Sequence, residues 1–424
     1  MGRETGTVRA ATPRCATRLS RWHPYPAMVP DELAVSLAQQ IILPGDKVLD
    51  PFCGSGRLLF AAAGMGGQCV GLDVNPLACL ITEAKAAVAS IETISEIVRE
   101  CAAAQRTAPA VDGLTLRNTS VSWYSSSVGQ ELAQIIAWLN SLGLRQPDLL
   151  VVATALSAAA RDASWIRKSG WKLHRMAEAE RVSRASSAWQ SFHRRLQCYV
   201  SGATNQPRAG KVEVRRIRSD GVSSKEFGQF DAIITSPPYG DSRTTVQYGA
   251  ASAISLDIVS RLRGLEEIYL PGLAIDKACL GGQKTTESVT NLKRYWAGSS
   301  GGEANERVST FLLDFSLTCK HLAKLSKQKS TIAMIVGRRS VGGYRVKFDE
   351  FAVSEMEGLG FTTDRIERRS LRNKSLPRTI NKFARASSTE EREKGMTKTM
   401  DEEIVLVFKK GKRCDTTFNS TLCI

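Results

Sequence analysis

The chain has 424 residues, 42% of them hydrophobic, and a net charge of +16. That length can bury a large core in one elaborated domain or two, and the excess of cations points to a polyanionic partner. Ten cysteines with no Cys-x-x-Cys pair and only four histidines argue against a metal site and fit a reducing cytosol, and the longest apolar-rich run, Leu149–Ala160, is too short to span a membrane.

Residues 1–20 set Arg3, Arg9, Arg14 and Arg18 against Glu4 and read as a disordered basic arm suited to touching phosphates. Residues 21–90 read as the first half of an α/β unit. Asp46-Lys-Val-Leu-Asp-Pro-Phe-Cys-Gly-Ser-Gly56 is a short strand, a glycine turn and a helix start, and Arg57–Ala63 continues the helix until Gly64, Gly66 and Gly67 end it. Gln68–Asp73 is a second strand, and Asp73 at its tip is placed to accept hydrogen bonds from ribose hydroxyls. Gly54 and Gly56 permit a sharp turn with close backbone approach, so the unit reads as a nucleoside-cofactor site. Leu59 stands where a dinucleotide fingerprint has its third glycine, and no Gly-x-x-x-x-Gly-Lys-Ser/Thr loop is present. A pyrophosphate therefore lacks a cradle, which favours S-adenosylmethionine over NAD or ATP. Cys53, Cys69 and Cys79 read as small core residues, and Pro76–Ile91 as a helix.

Residues 91–210 read as a largely helical insertion. Glu92–Ala104 and Val128–Leu142 have helical spacing, whereas Leu149–Ala160 is apolar throughout and fits a buried helix or strand equally. Beyond Ala160 the insertion turns cationic, with Arg161, Arg167, Lys168, Lys172, Arg175, Arg181, Arg184, Arg194 and Arg195, and with Trp165, Trp171 and Trp189 interleaved. This pattern suits a surface that tracks phosphates, or a solvated helix face with its tryptophans turned inward.

Residues 211–410 read as the second half of the α/β unit. Lys211–Ile217 alternates as a strand, with Asp220 after it as a neighbour for a cofactor adenine. Phe230–Thr235 is an apolar strand that ends abruptly in Ser236-Pro-Pro-Tyr239. Neither Pro237 nor Pro238 has an N–H to donate, so sheet pairing stops there and nearby carbonyls are left to face a ligand. Rigid acceptors, a small hydroxyl and the flat ring of Tyr239 suit a planar group with an exocyclic amine, as in a flipped nucleobase.

Residues 240–305 are rich in Gly, Ser and Thr, include Arg243, Arg261, Arg263 and Lys284, and read as loops plus a short helix, a second candidate for target recognition. Arg307–Leu325 and Phe348–Gly358 read as helices, and Thr331–Val336 and Thr362–Arg368 as strands. Residues 384–399 read as a mobile loop, Ile404–Phe408 as the strand that closes the sheet, and 411–424 as a loose tail. Strands alternating with helices imply an α/β fold with a doubly wound, mostly parallel sheet, which binds ligands at the carboxyl ends of its strands.

In combination these blocks resemble the amino-methylating DNA methyltransferases, particularly the N4-cytosine branch. His23-Pro-Tyr-Pro-Ala27 with Pro30-Asp-Glu-Leu-Ala34 is similar to the block preceding the family's cofactor turn, Asp50-Pro-Phe-Cys-Gly-Ser-Gly56 to that turn, and Asp73-Val-Asn-Pro-Leu-Ala78 to the ribose-binding strand end. Ser236-Pro-Pro-Tyr239 is similar to the catalytic block, with Ser first as in cytosine-N4 enzymes rather than Asp as in many adenine-N6 enzymes; Asn373-Lys-Ser-Leu-Pro377 resembles a late loop more loosely. The chain departs from the pattern at Arg57, at Ala27-Met-Val29 and at Ser375-Leu376.

The resemblance implies the fold of S-adenosylmethionine-dependent methyltransferases. It implies a cofactor held by Tyr25, Asp50, Pro51, Phe52, Gly54, Ser55, Gly56, Asp73 and Asn75, and catalysis by Ser236, Pro237, Pro238 and Tyr239. Double-stranded DNA is the implied substrate, in a bacterial or archaeal cytosol, with a cognate restriction endonuclease as a companion at the same site. Adenine-N6 methylation is the alternative, followed by RNA base methylation and by a catalytically idle DNA-binding relative.

Overall fold

The structure is a computed structural model that describes residue 19 and residues 22–87, 89–117, 123–167, 173–203, 210–218, 221, 224–240, 248–282, 289–298, 302–341, 344–370, 379–381, 396–398 and 402–411. The basic arm, Lys168, Trp171, Lys172, Asp220, Arg243, Lys284, the Asn373–Pro377 block, most of 384–399 and the tail from 412 lie outside the described residues.

In chain order the elements are α1 (Asp31–Ile41), β1 (Lys47–Asp50), α2 (Arg57–Gly64), β2 (Gln68–Asp73), α3 (Pro76–Ala86), α4 (Ile91–Thr107), α5 (Ser126–Ser141), α6 (Gln146–Ala163), α7 (Glu178–Val182) and α8 (Ala188–Ala203). Then come β3 (Val212–Arg216), α9 (Ser224–Phe227), β4 (Phe230–Thr235), α10 (Tyr248–Val259), α11 (Gly272–Ala278), α12 (Leu292–Tyr295), α13 (Gly302–Leu325) and β5 (Ser326–Val336). The chain continues with β6 (Ser340–Val341), β7 (Tyr344–Arg345), α14 (Phe348–Gly358), β8 (Phe361–Ser370), β9 (Thr379–Asn381), β10 (Met396–Lys398) and β11 (Glu402–Lys410).

Seven strands form one sheet in the order β3-β2-β1-β4-β5-β11-β8, parallel except that β11 runs against both of its neighbours. The order reverses beside β1, between β2 and β4, and the crevice at such a switch point is where open α/β sheets bind ligands. Period-two alternation builds both faces of the sheet. Leu49, Leu72 and Ile233 point into the layer of α13 and α14, whereas Val48, Ala232 and Ile234 point into the layer of α1 and α2. Each fully buried Leu or Ile contributes about 1.5–3 kcal/mol of transfer free energy. The doubly wound, mostly parallel sheet expected from the sequence is the fold observed.

Helices α3 to α6 and α8, together with α10, share a third core with Trp22 and Tyr25. Leu149–Ala160 lies within the single helix α6, whose residues Val151–Ala160 are all buried. A helix buried on every side has no polar stripe, so periodicity could not identify it. The expected helix Pro76–Ile91 is instead two: α3 ends at Ala86, and Ser90 caps α4 by accepting from Thr93 N at 3.1 Å.

Segment 240–305 is also corrected, because its described residues hold three helices, the first residues of α13 and a turn of 3-10 helix at Glu266–Ile268 rather than loops around one short helix. Its small residues serve close packing. A Cβ on Gly249 of α10 would lie 2.0 Å from the carbonyl oxygen of Gly272 at the start of α11. Finally, β11 does not close the sheet. It lies between β5 and β8, and burial of Ile404–Phe408 reflects neighbours on both sides.

The cationic stretch of the insertion is largely engaged within the chain. Arg194 and Arg195 meet Asp162 at 3.4 and 2.7 Å, Arg167 meets Glu180 at 3.2 Å, and Arg184 donates to the Asp162 carbonyl. Arg175 and Arg181 lie over the Trp165 ring at 5.1 and 5.2 Å, and Trp189 is buried against Trp138. Among the described residues no helix is long and apolar enough to cross a membrane, and no cluster of His, Cys, Asp or Glu could hold a metal ion.

Candidate active site at the carboxyl end of the sheet

Residues that are far apart in sequence converge on one cavity. Its walls are the early block (Tyr25–Val29), the turn after β1 (Asp50–Ser55), the tip of β2 (Asp73–Asn75), Ile217 and Arg218 after β3, Ser236 and Pro238 after β4, Tyr248 of α10, and Ala278–Leu280 at the end of α11.

The glycine turn is built from backbone geometry. Gly54 and Gly56 have φ of +52° and +83°, and a Cβ on Gly56 would come within 2.7 Å of Thr82 Cγ2, so the turn needs glycine for conformation and for space. Asp73 braces it: one carboxylate oxygen accepts from Gly54 N at 2.9 Å and the other from Asn75 N at 2.8 Å. Burial pushes the Asp73 carboxyl up to about 6, against those N–H bonds. Each carboxylate oxygen keeps a further lone pair, so Asp73 can still accept from a ligand hydroxyl at the cavity wall.

Asp50 ends β1 and accepts from Phe52 N at 3.1 Å and from Thr235 Oγ1 at 2.7 Å. The second bond ties the cofactor turn to the last residue of β4, directly before Ser236. Burial raises the Asp50 carboxyl to about 7.

Asn75 caps α3 by accepting from Leu77 N at 3.1 Å, and its amide donates to Tyr25 Oη at 3.1 Å and Ser252 Oγ at 2.8 Å. It therefore links the early block to α10, whose Tyr248 faces the Tyr25 ring with centroids 6.2 Å apart. Arg57 turns toward the early block, with Nη1 donating to Val29 O at 2.6 Å and Nε 3.4 Å from Asp31. This departure from the family pattern thus has a local partner on α1.

Ser236 Oγ lies 3.3 Å from Tyr239 Oη, and both side chains are partly exposed. Burial, with the nearby charge of Glu403, pushes the Tyr239 phenol up, so the ring stays neutral. Among the expected site residues, Tyr25, Asp50, Pro51, Phe52, Gly54, Ser55, Asp73, Asn75, Ser236 and Pro238 line the common cavity. Gly56, Pro237 and Tyr239 do not line it, but they flank residues that do.

Sequence reasoning missed the residues behind the turn. Thr82 Oγ1 donates to Gly54 O at 2.8 Å, and Lys85 Nζ donates to Ser55 O at 2.7 Å. The two stand three apart on one face of α3, and that spacing of polar residues was the available signal. Burial, with Arg57 nearby, lowers the Lys85 ammonium to about 7. Lys85→Met should leave the turn carbonyl without this donor and weaken cofactor binding by about fivefold or more, within the usual range for such a bond, with partial recovery in Lys85→Arg. Titration calorimetry checks this, and unchanged affinity in a folded Lys85→Met contradicts it.

The cavity fits S-adenosylmethionine. A carboxylate at the tip of β2 matches ribose hydroxyls, and the glycine turn provides close backbone approach.

Residues 7–84 match the sequence profile of the family described as DNA methylase. The chain is 26% identical over 362 residues to the type II methyltransferase M.MvaI of Kocuria varians, covering 76% of this chain and 77% of that one. It is 33% identical over 76 residues to the type II methyltransferase M.MjaII of Methanocaldococcus jannaschii, covering 18% and 14% of the two chains. Among solved structures, the rRNA methyltransferase AviRa of Streptomyces viridochromogenes aligns with 12% identity over 94% of this chain and 97% of that one, at a TM-score of 0.34. The profile match and the long alignment bear out the resemblance to amino-methylating DNA methyltransferases and, with it, S-adenosylmethionine as the cofactor.

Proposed function

We propose that the chain transfers a methyl group from S-adenosylmethionine to the exocyclic N4 of cytosine in double-stranded DNA. One observation carries this reading: Asp73, the glycine turn, and Ser236 and Pro238 of the block after β4 line a single cavity. The DNA methylase profile and the long alignment with a type II methyltransferase support it. The same relative supports a role as the modification partner of a restriction endonuclease.

In this reading Asp73 accepts from the ribose hydroxyls, while Tyr25, Asp50, Pro51, Phe52, Gly54, Ser55, Gly56 and Asn75 shape the remainder of the cofactor site. The bound cofactor supplies an electrophilic methyl group on a sulfonium. The 4-amino nitrogen of cytosine is a poor nucleophile because its lone pair is delocalised into the ring. Ser236 Oγ and the carbonyl between Pro237 and Pro238 accept its two N–H groups, favour its pyramidal form and draw density toward nitrogen. That is stabilisation by fixed dipoles. Orientation in line with the methyl group supplies the rest. Tyr239 stacks on the flipped base, and after transfer the proton leaves to solvent.

The test is to incubate the chain with methyl-labelled S-adenosylmethionine and either duplex DNA or RNA. Label in DNA is expected; label in RNA and never in DNA would overturn the substrate class.

A further inference from the structure

Several described cations of the insertion have partners within the chain, and a DNA methyltransferase must hold a polyanion beside its catalytic block. Another cationic element adjoins the turn that follows Ser236. Beyond β5, whose Met334 pairs with Thr235, the chain turns into the short β6–β7 hairpin. Arg339 forms its root. Its carbonyl accepts from Val346 N at 2.8 Å, and a Cβ on Gly240, the residue after Tyr239, would lie 2.1 Å from its guanidinium carbon. The hairpin root therefore packs against the catalytic turn itself.

Helix α12 is fastened to the hairpin. Trp296 Nε1 donates to Val341 O at 3.1 Å, Lys347 N donates to Tyr295 O at 2.8 Å, and the Trp296 and Tyr344 rings meet edge to face at 6.5 Å. Trp296 is buried, while Tyr344 is 50% exposed. Lys293 and Arg294 of α12, Arg345 of β7 and Lys347 just after it are all exposed, with Arg294 lying 5.6 Å over the Tyr295 ring. Glu402 lies 3.8 Å from Arg345 and Glu350 lies 3.3 Å from Lys347, but surface pairs of this kind are weak and leave the cations able to meet phosphates.

We propose that α12 and the β6–β7 hairpin form a docking surface for the phosphate backbone of duplex DNA next to the target base, with Tyr344 as its aromatic contact. The inference rests on the reading of the chain as a DNA methyltransferase. Cations set the salt-dependent part of DNA affinity, at roughly 0.9 in the slope of log K against log salt per phosphate neutralised.

The experiment measures binding of the full chain to a mixed-sequence DNA duplex by fluorescence anisotropy across a salt series, with calorimetry of S-adenosylmethionine as the control for folding. The double variant Lys293→Ala/Arg294→Ala should bind about tenfold more weakly at low salt and lose about 2 from the slope, with cofactor affinity unchanged. Tyr344→Ala should weaken binding without changing the slope, and Tyr344→Phe should retain it. Variants that bind cofactor and duplex as the parent does, with the same slope, overturn the docking surface alone. A parent chain that binds cofactor but no DNA duplex overturns the underlying reading, and preference for an RNA duplex overturns the partner.

Discussion

Replacing Tyr239 by Ala is expected to lower methyl transfer to DNA by about 1–3 kcal/mol, the worth of one base–aromatic stack, or roughly 5- to 150-fold. S-Adenosylmethionine affinity should stay near that of the parent, because Tyr239 does not line the cavity that Asp73 and the glycine turn share. Tyr239→Phe should keep most of the rate, since stacking needs the ring and the hydroxyl bond to Ser236 is long at 3.3 Å. Ser236→Ala should behave differently. Its acceptor role strengthens only as the amino nitrogen becomes pyramidal, so kcat should fall more than DNA affinity. Single-turnover kinetics with separate DNA and cofactor titrations distinguish these outcomes; a Tyr239→Ala variant that loses cofactor binding instead would assign the ring to the wrong ligand.

Asp73→Ala is expected to weaken S-adenosylmethionine binding by about 1.5–3 kcal/mol, the usual worth of hydrogen bonds to a charged group. Two losses coincide, since the carboxylate also holds Gly54 N and Asn75 N. The pH dependence follows from its raised pKa. The ionised form is the acceptor, and burial pushes the group up to about 6 in the free protein. Affinity should therefore be full above that value and decline as pH falls through about 6, a decline that Asp73→Ala should lack. Calorimetry from pH 5 to pH 8 checks both points; unchanged affinity in a folded variant would remove Asp73 from the site.

Local chemistry made much of this site legible in the sequence. Asp73 ends a buried strand and Ser236 directly follows one, and a strand followed by a glycine turn or two prolines has few alternative structures. β4 spans the expected Phe230–Thr235 without change. The parts that were not legible depend on distant partners. Nothing near Thr235 announces its bond to Asp50, and Lys85 acquires its task only because α3 packs behind the turn. Composition misled in one place: glycines in 240–305 suggested loops but serve close helix packing. Several cations of the insertion also meet Asp162, Glu180 and Trp165, while Arg167 and Arg194 stay largely exposed. Charge counts in a sequence do not show which cations have partners within their own chain.

The central claim, methylation of cytosine N4, is tested most directly by mass spectrometry of nucleosides from duplex DNA after reaction with the chain and labelled S-adenosylmethionine. N4-methylcytosine carrying the label, absent with Ser236→Ala, is the expected product; N6-methyladenine as the sole labelled nucleoside would contradict the claim.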